Sequence, residues 1–142
     1  MRDFNEGTER YCSSALLNAI LGFAAQSRDV APASGQFPCV SEHFLCEARR
    51  LLEEEDGDMD ITGIQAIGVL AMAEVNIGND ESAYQLSVQC ARDTILLKMR
   101  RDGEEGNELA DDHDYCEAMA TTFCGAFTLI RYGLHVFTLP HL

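Results

Sequence analysis

Apolar residues recur along this chain at intervals of three and four, and that spacing predicts five α-helices. In the first, Leu16, Leu17, Ile20, Leu21 and Ala24 make one apolar face. Ser13 or Ser14 stands where a hydroxyl can cap its first turn. A loop from Val30 to Val40 follows, punctuated by Pro32, Gly35 and Pro38. Ser41 then caps a second helix, and Glu42 suits its first turn. Phe44, Ala48, Leu51 and Leu52 share one side of it, and the acidic run Glu53-Glu54-Glu55-Asp56-Gly57-Asp58 ends it.

The third helix opens on a capping box, Thr62 with Gln65, and Ile61 is placed to staple back onto Ala66. From Ile64 to Val75 it is apolar nearly all round, the pattern of a central helix rather than a surface one. Gly78 fits a left-handed residue just past its end. A fourth helix begins at Asn79 or Asp80, with Ala83, Leu86, Cys90, Thr94 and Leu97 at helical spacing. A polar, acidic loop from Arg100 to Asp114 holds Gly103 and Gly106. The fifth helix runs from about Tyr115 to Phe137. Its stripe, Phe123, Phe127, Ile130, Leu134 and Phe137, is spaced four, three, four, three, and should face a partner helix in this chain or another. No segment alternates convincingly as a strand and no motif repeats. The expected fold is all-α: a helical domain of antiparallel helix pairs, with about five helices.

The 142 residues suit one domain, and a hydrophobic share of 46% supplies a core and argues against wholesale disorder. Charge narrows the function further. Lys and Arg total 10 against 24 Asp and Glu, a formal net charge of -14. Such a chain repels phosphate, so neither direct nucleic-acid binding nor an acidic membrane surface is expected. A basic partner is compatible with the charge, but solubility explains it equally well. No apolar run is long enough to span a bilayer. The N-terminal residues carry no signal-peptide pattern, so the six cysteines, Cys12, Cys39, Cys46, Cys90, Cys116 and Cys124, are expected as reduced thiols in an intracellular protein.

Candidate chemistry is thin. Cys39, His43 and Cys46 are close in sequence, but a fourth zinc ligand is missing unless His113 or Cys116 comes from afar. Buried thiols and a surface imidazole are the stronger reading. Asp56, Asp58 and Asp60 alternate like a calcium loop. Ile61 stands where that loop needs Gly, however, and Ile67 where it needs Glu, so the acids are better read as a solvated helix end. His113 among Asp111, Asp112 and Asp114 is the one polar cluster of note, and no nucleophile motif accompanies it. His135 reads as a helix-end residue. The stripe from Phe123 to Phe137 is spaced to line a small-molecule pocket between helices, but core packing is the commoner outcome. No catalytic, cofactor or metal residue is therefore assigned, and an enzyme is not expected.

Several stretches resemble one family in order and spacing. They are Tyr11-Cys12-Ser13-Ser14-Ala15-Leu16-Leu17-Asn18-Ala19-Ile20, Phe44-Leu45-Cys46-Glu47-Ala48-Arg49-Arg50-Leu51-Leu52 and Thr62-Gly63-Ile64-Gln65-Ala66-Ile67-Gly68-Val69-Leu70. Gly78-Asn79-Asp80 with Ala83-Tyr84, and Thr122-Phe123-Cys124-Gly125-Ala126-Phe127 with Leu139-Pro140, complete the set. Together they resemble the regulatory domain of fungal transcription factors that carry a zinc binuclear cluster, from about Tyr11 to the end. Thr94-Ile95-Leu96-Leu97-Lys98-Met99 departs from that family's Gly-Leu-His turn, and Glu117-Ala118-Met119-Ala120 replaces its Arg-rich start of the last helix. The family's domain continues past the position of Leu142, so residues 1–142 are expected to be a partial domain.

The resemblance implies a nuclear, non-DNA-contacting regulatory domain that modulates transcription through intramolecular, partner or effector contacts. The expected partners are proteins, or a second copy through the fifth helix; a small-molecule effector is left open. No cofactor is expected in this chain. The six cysteines do not form the family's zinc cluster, because no Cys-x-x-Cys occurs and only Cys39 and Cys46 show a matching gap. Zinc and DNA binding would belong to another segment of the parent protein. A helical-repeat-like interaction scaffold with no transcriptional role is the alternative, although no fixed-period repeat supports it.

Overall fold

A computed structural model describes residues 11–28, 39–54, 60–103 and 113–138, with side-chain surroundings up to Tyr132. These residues form five helices: α1 (Ser14–Gln26), α2 (Val40–Glu54), α3 (Ile61–Ile77), α4 (Asp80–Gly103) and α5 (His113–Thr138). No strand occurs among the described residues. The expected all-α fold is what is found. Most of the loop expected over Val30–Val40, the acids Glu55, Asp56 and Asp58, and most of the acidic loop before α5 lie outside the described residues, as does Leu139-Pro140.

Helix α3 is the axle of the fold. It packs against α1, α4 and α5, and more lightly against α2, while α1 pairs with α2 and α4 with α5. One side of α3, with Ala66, Leu70 and Ala73, joins a core built with Ala15, Leu16 and Ala19 of α1 and Leu45 and Ala48 of α2. The other side, with Ile61, Ile64 and Ile67, joins a second core with Cys90, Ala91 and Leu97 of α4 and Tyr115 and Ala126 of α5. A helix that serves two cores must be apolar on both sides, which accounts for the run from Ile64 to Val75. Ile64, Ile67, Leu70 and Ala71 are each no more than 2% exposed.

Local signals set the helix ends, with some differences from expectation. Ser13 caps α1, its hydroxyl accepting from the Leu16 N–H at 3.2 Å. Gly78 ends α3 at φ 79°, and the Asn79 N–H reaches back to the Glu74 carbonyl at 3.0 Å. The cap of α3 is Asp60 rather than Thr62: its carboxylate accepts from the Gly63 N–H at 2.8 Å and from the Thr62 hydroxyl at 2.9 Å. Thr62 is fully buried within the first turn, and Gln65 instead donates across to the Thr122 hydroxyl of α5 at 2.9 Å. Ser41 likewise lies inside α2, which begins at Val40. Helix α4 runs four residues into the expected loop, through Gly103. Arg100 and Arg101 complement the negative end of its dipole, and Lys98 pairs with Asp102 one turn on.

The face of α1 also differs from expectation. Ala15, Leu16, Ala19 and Gly22 are buried, while Ile20 and Leu21 are exposed. The cause is close approach. A Cβ on Gly22 would lie 2.6 Å from Cγ and Cδ2 of Leu45 and 3.1 Å from its backbone nitrogen. Small residues let the α1 and α2 backbones meet closely, and dispersion contacts over that seam outweigh burial of the bulkier stripe.

Polar side chains tie the helices at a few points. Glu74 of α3, with its side chain only 7% exposed, is ion-paired to Arg49 of α2 and accepts from the Asn79 side chain at 2.7 Å. Gln26 donates to the Ala73 carbonyl at 3.0 Å and accepts from Asn76 at 3.0 Å, fixing the end of α1 on α3. On the outer face of α2, Arg50 bridges Glu47 and Glu54. Its hydrogen bond holds the Glu47 carboxyl below the ordinary range.

Candidate functional site

A groove lies between helices α4 and α5. Tyr115, Thr122 and Ala126 turn one face of α5 into the second core, with Ala118, Met119 and Ile130 packed beside them. The Gln65–Thr122 hydrogen bond and the Arg101 guanidinium, 3.9 Å above the Tyr115 ring, fix that rotation. The fifth-helix stripe is therefore split. Ile130 packs at the core, whereas Phe123 and Phe127 are 37% and 45% exposed. The surroundings of Leu134 and Phe137 lie outside the described residues.

The groove is a cavity of about 410 Å³ lined by Lys98, Arg101 and Asp102 of α4 and Cys116, Met119, Ala120 and Phe123 of α5. Its α5 side is apolar, and its α4 side carries two cations and one carboxylate. Lys98 donates to the Asp102 carboxylate at 3.0 and 3.4 Å. The apolar surface continues past the cavity. Phe127 stacks tilted against Phe123 with centroids 4.7 Å apart, and Ile95, three residues before Lys98 on the same helix face, is exposed as well. Size and lining suit an apolar ligand or side chain with a negative flank.

The residues weighed from sequence do not converge. Cys39 shares a hydrogen bond with Ser41 at 2.9 Å, His43 lies exposed with its ring edge toward Phe44, and Cys46 points to solvent. Among the described residues, no group of three or more His, Cys, Asp or Glu side chains is placed to hold a metal ion. Asp60 serves as the helix cap. His113 and Asp114 are both almost fully exposed and 3.9 Å apart, and Asp111 and Asp112 lie outside the described residues. His135 falls within α5, beyond the described side chains. None of the six cysteines is joined in a disulfide. Cys90 is buried against the Ile64 carbonyl, and burial together with the nearby Asp93 charge pushes its thiol up to about 11. No described helix is long and apolar enough to cross a membrane.

Sequence reasoning did not find Lys98, Arg101, Cys116 or Met119 as a group. The available signal was a cluster of cations, Lys98, Arg100 and Arg101, in an otherwise acidic chain. What it lacked was the pairing of α4 with α5.

No known family profile matches the chain, and no solved structure matches it. A relationship to a fungal transcription factor does emerge from curated proteins. Over 93 residues, 64% of its length, the chain is 33% identical to the notoamide biosynthesis transcriptional activator notL' of Aspergillus versicolor. The chain spans 15% of that protein's length.

Proposed function

We propose that this chain is part of the regulatory, non-DNA-contacting domain of a fungal-type transcription factor of the zinc-cluster class. Its relationship to a fungal transcriptional activator carries the reading. The all-helical fold and the open α4–α5 groove support it, since a modulating domain needs a surface on which contacts can be made and released. In this reading the domain alters transcription through intramolecular, partner or effector contacts and catalyses no reaction. Partner proteins, or a second copy, meet it along α5. DNA recognition and its zinc belong to another segment of the parent protein, and the domain works in the nucleus. The net charge of -14 fits that division of labour, because it opposes contact with the phosphate backbone.

A fusion tests this. The chain is placed between a heterologous DNA-binding domain and an activation segment, and reporter output in a fungal host is compared with a fusion carrying Leu70→Glu, which should unfold the domain. A several-fold difference at equal protein level is expected. Equal output from the two would overturn the regulatory reading, and retardation of a duplex by the chain alone would overturn its non-DNA-contacting part.

A further inference from the structure

We propose that the α4–α5 groove is a docking site for an acidic amphipathic helix supplied by a protein partner. Cys116, Ala120, Phe123 and Phe127 follow one another on α5 at intervals of four, three and four. Over that span the row is about 16 Å long, at 1.5 Å per residue. An elongated apolar row of three turns matches a helix with anchors at i, i+3 or i+4, and i+7 better than it matches a compact small molecule.

Charge selects the sign of the partner. Two cations and one carboxylate line the cavity, a net positive lining in a chain of net charge -14. The Lys98–Asp102 pair is solvent-exposed on both sides. An exposed pair of this kind stabilises little, so an incoming carboxylate can replace Asp102 at small cost. The Arg101 guanidinium is already ordered over Tyr115, which reduces the conformational entropy lost on binding an acid. Net charge disfavours a second copy of this chain. A two-fold contact would bring together two strongly acidic molecules, each of net charge -14. The proposal rests on the transcriptional reading for where such a partner is met. Its test uses purified chain, so a failure here leaves the reporter experiment untouched.

The probe is a labelled, helix-forming peptide of about 16 residues, enough to span the row, with Leu at three- and four-residue spacing and Glu on its flanks. A matched peptide carries Lys in place of Glu. Anisotropy titrations should show binding of the acidic peptide that weakens with salt and exceeds binding of the basic one. Phe127→Ser, an exposed position outside the cores, should weaken it about tenfold, and Lys98→Gln by a smaller factor, with circular dichroism melts confirming that both variants fold. No binding of the acidic peptide, stronger binding of the basic peptide, or folded variants that bind like wild type would overturn the proposal. So would a wild-type dimer in sedimentation that Phe127→Ser converts to monomer, because the face would then belong to a second copy.

Discussion

Adding one methyl group to α1 should destabilise the protein, while the same change in α5 should stabilise it. Glycine is the poorest ordinary helix residue, and Gly→Ala in a helix interior gains about 1 kcal/mol where space allows. At Gly125 nothing lies within 4 Å of the new Cβ, so that gain should appear undiminished. At Gly22 the Cβ would fall 2.6 Å from Cγ and Cδ2 of Leu45, well inside van der Waals contact. Leu45 is only 6% exposed, and Cγ is a branch point rather than a flexible tip, so it cannot swing aside alone. The Leu45 backbone nitrogen, 3.1 Å from the same point, limits relief by a rotamer change and forces α2 outward. Overpacking costs about 1–3 kcal/mol, contacts this short belong to the upper half of that range, about 2–3 kcal/mol, and the propensity gain offsets roughly 1 kcal/mol of it. Gly22→Ala should therefore lose on the order of 1–2 kcal/mol. At about 3 °C per kcal/mol for a chain of this size, Tm drops by several degrees, while Gly125→Ala raises it. Thermal melts at 222 nm and guanidinium titrations give both numbers. If Gly22→Ala melts at or above the wild-type temperature, the α1–α2 backbones are not as close as the argument requires.

Other perturbations probe the two cores and their polar ties. Leu70→Ala, at a position 1% exposed, should cost about 2–5 kcal/mol in denaturant titrations; an unchanged midpoint would place α3 at the surface. Arg49→Met strands the buried Glu74 carboxylate with Asn79 and should cost about 1–3 kcal/mol, less than for a fully buried pair because Arg49 is 38% exposed. Adding Glu74→Gln should restore part of that loss, and strictly additive effects would refute the coupling. The Cys90 thiol is raised in the fold from an ordinary 9.0 to about 11, so the folded state holds its proton longer than the unfolded chain. Its contribution is intact below pH 9 and is lost as pH rises through about 11, a drop of up to roughly 3 kcal/mol. That component should be missing from Cys90→Ala when the two pH–stability curves are compared; parallel curves would refute it.

Much of this protein was legible one helix at a time. The existence and order of the five helices followed from three- and four-residue spacing. Ser13 and Gly78 acted as the punctuation they resemble, and the nearly continuous apolar run from Ile64 to Val75 announced a helix enclosed on both sides. These features depend mainly on neighbours within a turn or two, where local hydrogen bonding and hydrophobic period decide the outcome. Tertiary structure decided what such rules cannot reach. Asp60 took the capping role because Thr62 was drawn fully into the interior. Ile20 and Leu21 lost the inner face of α1 to alanines and a glycine because a close backbone approach required small residues. Phe123 and Phe127, the strongest aromatic signal in the chain, were turned outward by the anchoring of Tyr115 and Thr122. The groove exists only because that rotation sets Met119 and Phe123 opposite Lys98 and Arg101, residues separated by a long acidic stretch of chain. Local spacing fixes which side chains share a face. Which face is buried depends on how closely distant backbones can approach, and that is settled only when the helices pack.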